Sequence, residues 1–89
     1  IDSSSLILGN CIIKNNGSGN NGGGVAIVRK SVPDSCPRPV FINCRFESNT
    51  AVGNGGGIYY SSGTIPQIKA CDFISNSVNG KGGGIYGKE

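Results

Sequence analysis

The sequence predicts an all-β chain wound as a parallel β-helix of about three coils. Three observations carry that expectation. A short segment built around a cysteine occurs three times, a glycine triplet follows each copy at a fixed distance, and the apolar residues alternate with period 2 instead of recurring at helical spacing. Glycine makes up 16 of the 89 residues, and each one in a helix interior would cost about 1 kcal/mol relative to alanine. A helix bundle is therefore excluded.

The three copies are Asn10-Cys11-Ile12-Ile13-Lys14-Asn15-Asn16, Asn43-Cys44-Arg45-Phe46-Glu47-Ser48-Asn49 and Ala70-Cys71-Asp72-Phe73-Ile74-Ser75-Asn76. Eleven residues after each cysteine stands a triplet: Gly22–Gly24, Gly55–Gly57 and Gly82–Gly84. The full period is 33 residues between the first two cysteines and 27 between the second two. The unit is thus constant from cysteine to glycines, and the surplus falls in an inserted loop near residues 28–39. Coils are expected over residues 5–31, 38–64 and 65–89.

Each coil begins with a strand whose inward residue is Leu8, Phe41 or Ile68, three positions before the cysteine. Moving from that column to the cysteine breaks the alternation, so a bend or bulge is expected at Asn10, Asn43 and Ala70. A second strand follows with Cys11/Ile13, Cys44/Phe46 and Cys71/Phe73 facing one way. The glycines supply positive φ and close backbone approach at the next corner. A further strand starts at Val25, Ile58 and Ile85.

Stacked coils lie about 4.8 Å apart, so equivalent residues must be compatible neighbours. Lys14 falls over Glu47 and Arg45 over Asp72, and facing opposite charges are each worth about 0.2–1 kcal/mol. Tyr59 and Tyr86 share a column expected to face outward. Asn16, Asn49 and Asn76 share another, in which amides hydrogen-bond along the axis.

Phe46-Glu47-Ser48-Asn49 and Phe73-Ile74-Ser75-Asn76, each paired with Gly-Gly-Gly-Ile-Tyr, resemble the FxxN and GGxI signatures of the chlamydial-type polymorphic outer membrane protein repeats. The first copy departs, with Ile13 for Phe and Val25-Ala26 for Ile-Tyr. The resemblance implies a right-handed parallel β-helix in an extracellular or cell-surface setting.

The cysteine column has three readings. Neighbours about 5 Å apart lie within disulfide reach, they equally suit buried thiols packing as small hydrophobes, and a metal site is the third. The thiol ladder is favoured, since parallel Cβ vectors make the disulfide torsion awkward and a line of sulfurs without histidine offers no tetrahedral set. Cys36, in the inserted loop, reads as a free thiol or as the partner of a group elsewhere. The glycine triplets precede neither Lys-Ser/Thr nor a helix, so a phosphate loop fails on context. Asn16-Gly17-Ser18 is a glycosylation sequon, and Tyr59, Tyr60 and Tyr86 offer an aromatic strip for carbohydrate stacking.

Enzymatic chemistry finds little to work with. The chain has no histidine, its carboxylates are Asp2, Asp34, Glu47, Asp72 and Glu89, and glycoside hydrolysis needs a facing pair. The net charge of +3 comes from scattered residues and forms no nucleic-acid stripe, and no run reaches the ~20 apolar residues of a membrane span. No cofactor is expected. Opening on Ile1 and closing after an apolar strand, the chain reads as an excerpt of a longer solenoid. The expectation is a non-catalytic structural rod, filament or adhesin shaft, partnered by further coils or by identical copies stacked end to end. The alternative is a carbohydrate-binding or carbohydrate-processing β-helix whose groove lies outside this segment.

Overall fold

The computed structural model describes residues 6–28, 38–61, 64 and 66–87. Residues 29–37 of the inserted loop, Cys36 among them, lie outside the described residues. Each coil contributes four short strands: β1 (Ile7–Gly9), β2 (Ile12–Lys14), β3 (Gly17–Ser18) and β4 (Val25–Ile27) in the first. In the second they are β5 (Val40–Ile42), β6 (Arg45–Glu47), β7 (Thr50–Ala51) and β8 (Ile58–Tyr60). The third holds β9 (Gln67–Lys69), β10 (Asp72–Ile74), β11 (Ser77–Val78) and β12 (Ile85–Gly87). Equivalent strands pair in parallel into four three-stranded sheets, with the second coil central in each. The all-β parallel β-helix of about three coils is the architecture found.

The register joins the columns read from the sequence: Leu8 with Phe41 and Ile68, Ile13 with Phe46 and Phe73, Val25 with Ile58 and Ile85. Burial peaks where a coil is covered on both sides. Phe41, Phe46 and Ile58 are fully buried and Cys44 nearly so, whereas Leu8, Ile13, Ile68 and Phe73 of the outer coils pack on that core only in part. The Phe46 and Phe73 rings stack with centroids 4.8 Å apart, and Phe41 meets Phe46 edge-on at 5.7 Å. Both arrangements are preferred for aromatic quadrupoles.

The corners are single residues in the left-handed region. Asn10, Asn43 and Ala70 have φ of 56°, 54° and 50°, which is the bend that the broken alternation requires. Asn15, Ser48 and Ser75 form a second corner at 59°, 53° and 54°. Within the triplets only the first glycine, at Gly22, Gly55 and Gly82, has positive φ. The hydrogen-bond ladder runs through these corners: Asn10 N–H donates to Ile42 O at 3.0 Å and Ser48 N–H to Ile74 O at 2.9 Å. Among the described residues the ladder thus crosses both left-handed corners, which is what lets so small a core hold.

Ala70 is the residue least suited to its corner, since alanine in this region costs about 1–2 kcal/mol and asparagine tolerates it. Ala70→Asn, which restores the residue of the other two copies, is expected to raise stability by about 1 kcal/mol, read from the urea midpoint at unchanged slope.

Candidate functional site

The functional features of a solenoid are its columns, and the corners set them. The first corner turns the chain so that Cys11, Cys44 and Cys71 fall one coil apart; Arg45 N–H donates to Cys11 O and Asp72 N–H to Cys44 O. Each thiol turns back on the carbonyl two residues before it, at Gly9, Ile42 or Lys69, with sulfur–oxygen distances of 3.3, 3.5 and 3.3 Å. Cys44 and Cys71 also point at Leu8 O and Phe41 O of the preceding coil, both at 3.5 Å. All three are free thiols, Cys44 buried and its neighbours half-buried.

After the second corner comes the asparagine column. Asn49 is fully buried. Its Nδ2 donates to Ile13 O (2.9 Å) and to Asn76 Oδ1 (3.1 Å), and its Oδ1 accepts from the Asn16 N–H and Asn16 Nδ2 (3.1 Å each). Its backbone N–H donates to Asn76 Oδ1 at 2.9 Å, and Asn76 Nδ2 donates to Phe46 O at 2.8 Å. Each amide oxygen thus serves the coil before it, and each amide nitrogen reaches back to that coil's carbonyl. Among the described residues no buried side-chain nitrogen or oxygen lacks a partner. Asn16 is exposed as a residue, yet the Nδ2 that would carry a glycan is held by Asn49.

The tyrosines require a correction. Tyr59 and Tyr86 do stack, with centroids 5.9 Å apart and planes 10° from parallel. Tyr59, however, is buried at 8% exposure, and Tyr60 packs against the core cluster in the column of Ile27 and Gly87. The physical reason is alternation along β8: Ile58 and Tyr60 point in, and Tyr59 points out over the glycine corner of its own coil. There a Cβ on Gly55 would lie 2.8 Å from Tyr59 Cβ. The three rings therefore form no single exposed strip. Tyr86→Ala is expected to lower stability by about 1 kcal/mol through lost stacking, measured by thermal unfolding.

The charge register is as read: Lys14 pairs with Glu47 and Arg45 with Asp72. Among the described residues no three His, Cys, Asp or Glu side chains come together in a metal-holding group. A shallow groove of about 430 Å³ follows the cysteine corner past Asn10, Cys11, Asn43, Cys44, Arg45 and Asp72.

Sequence reasoning missed a second amide column. Asn21 Oδ1 accepts the Asn54 N–H at 2.8 Å, and Asn54 Oδ1 accepts the Lys81 N–H at 2.7 Å. Its signal was the asparagine immediately before the first two glycine triplets, hidden by lysine in the third copy.

Residues 43–61 and 70–88 match the family model of the Chlamydia polymorphic membrane protein (Chlamydia_PMP) repeat. The chain is a parallel β-helix in which two stretches are similar to this repeat. No curated protein and no solved structure matches it. Each matched polymorphic membrane protein repeat begins on the left-handed corner before the cysteine, at Asn43 or Ala70, and runs through the strand after the glycines. The first coil, outside the matched residues, follows the same path, with Ile13 and Val25 paired to Phe46 and Ile58. The polymorphic membrane protein repeat points to a surface protein of the outer-membrane type.

Proposed function

We propose that this segment is a non-catalytic length of an extracellular shaft, the rod, filament or adhesin stalk of a secreted surface protein, to which it supplies reach and stiffness. The observation that carries this reading is the continuity of the inter-coil layer. Strands, corners, asparagine amides and aromatic rings all bond or stack along one axis. Such a molecule resists bending because every coil is tied to its neighbours by four sheets at once. The carboxylates Glu47 and Asp72 sit in register with basic neighbours on the outer surface, which suits a solvated charge ladder better than an acid–base pair.

The test is to insert further copies of residues 61–87 in tandem and follow the particle by small-angle X-ray scattering. A shaft gains about 4.8 Å of length per coil at constant cross-section. Growth in all three dimensions, or glycan turnover by the chain, would contradict the reading.

A further inference from the structure

The thiol column is a cluster of reactive side chains that the shaft reading leaves unused. Cys11, Cys44 and Cys71 are free thiols. The first two hold the same pose on successive coils: Cys11 Sγ approaches Gly9 O at 3.3 Å and Cys44 Sγ approaches Ile42 O at 3.5 Å, in each case the carbonyl two residues back. Sulfurs held alike on stacked coils are separated by the coil rise, about 4.8 Å. That spacing discriminates among the uses of a thiol pair. A disulfide needs its sulfurs about 2.05 Å apart, so both side chains would have to leave these carbonyls. A tetrahedral ion needs four donors, and among the described residues not even three His, Cys, Asp or Glu form a metal-holding group. Two metal–sulfur bonds of about 2.3 Å placed end to end through one ion, however, span about 4.6 Å. The column is spaced for an ion that takes two donors on a line.

The surface selects which pair. The groove of about 430 Å³ at the first corner is lined by Cys11, Cys44 and Arg45, and Cys71 is not among its walls. Half-buried Cys11 gives an ion entry from water, and Cys44, 2% exposed, closes the site from within. Ions of this geometry are soft, and thiolate sulfur is the donor that selects them. Binding exchanges two S–H protons for one ion. Each sulfur gives the metal an electron pair, both protons pass to water, and neither an oxidant nor a reductant takes part. With a monovalent ion the complex carries one negative charge. The Arg45 cation lines the same groove, as does Asp72, its partner in register.

We infer that Cys11 and Cys44 form a binding site for one soft monovalent cation of linear two-coordinate preference, the class of silver(I) and copper(I). The site lies between two coils of this chain and does not depend on the shaft reading.

The test titrates silver(I), in chloride-free buffer, into the reduced chain carrying Cys36→Ser, so that the loop thiol takes no part. One ion is expected to mask two thiols, to release two protons, and to show two sulfur neighbours by X-ray absorption while the chain sediments as it does without metal. Cys11→Ser and Cys44→Ser are each expected to weaken binding about hundredfold, the usual loss when a second tethered ligand is removed. Cys71→Ser, which truncates a half-buried thiol of the same column, is expected to bind like the parent. Thermal unfolding of each variant without metal checks that it folds. One masked thiol per ion overturns the inference, as do two-sulfur sites found only in cross-linked chains. Equal losses from Cys71→Ser and Cys11→Ser overturn it too, and so does a chain isolated with Cys11 and Cys44 already joined as a disulfide.

Discussion

Phe46→Ala is expected to destabilise the chain by about 3–5 kcal/mol, the usual cost of removing a fully buried aromatic ring. Phe46 is the most connected ring of the core: it stacks on Phe73, meets Phe41 edge-on, and lies in register with Ile13. Its removal opens the second coil, which the first and third coils both use as their floor. Small domains have about 5–15 kcal/mol of total stability, so this change consumes much of it. The expected readout is loss of the cooperative urea transition or a large fall in its midpoint. Phe73→Ala supplies the comparison, because that ring has one neighbouring coil and is half-buried, and its cost should be clearly smaller.

Asn49 carries the second large effect. Asn49→Ala removes an amide that accepts two hydrogen bonds and donates two more, and takes their partner from Ile13 O and the Asn16 N–H, while Asn76 Oδ1 keeps the backbone N–H of residue 49. An unsatisfied buried group costs about 1–3 kcal/mol, so a loss of at least about 2 kcal/mol is expected. Asn49→Asp separates shape from hydrogen bonding. The introduced carboxylate would face Ile13 O and Asn76 Oδ1, two acceptors, and burial would raise its pKa above the unfolded carboxyl value of about 4. A raised folded pKa contributes stability below the unfolded value and loses it as pH rises. The deficit of Asn49→Asp relative to wild type should therefore be smallest near pH 4 and grow toward neutrality. A deficit that does not change with pH would show that the amide's protons are not what the site requires.

The fold was legible because the repeat fixes everything that depends on spacing. The constant distance from Cys11, Cys44 and Cys71 to their glycines set the register, and the register brought Phe46 over Phe73 and Lys14 beside Glu47. The bend at Asn10, Asn43 and Ala70 was legible for the same reason, since period 2 cannot pass from Leu8 to Cys11 without one. What escaped notice depends on backbone conformation without a fixed residue type. The second left-handed corner is occupied by Asn15, Ser48 and Ser75, a mixture whose shared property is tolerance of positive φ and which no single residue type marks. The glycine triplets combined two demands that residue type alone does not separate: positive φ at the first position and bare backbone at the others. The tyrosines were misplaced because β8 carries Tyr59 and Tyr60 on opposite faces, and facing outward at a glycine corner is not the same as being exposed.

The central claim is that residues 33 and 27 positions apart lie one above another, and proton–proton contacts in solution test it most directly. Nuclear Overhauser effects from the Phe46 ring should reach Ile13 of the first coil and the Phe73 ring of the third, whose centroid lies 4.8 Å away. A Phe46 ring that shows contacts only to residues of its own coil, with Phe73 and Ile13 silent, would contradict the stacked helix and everything built upon it.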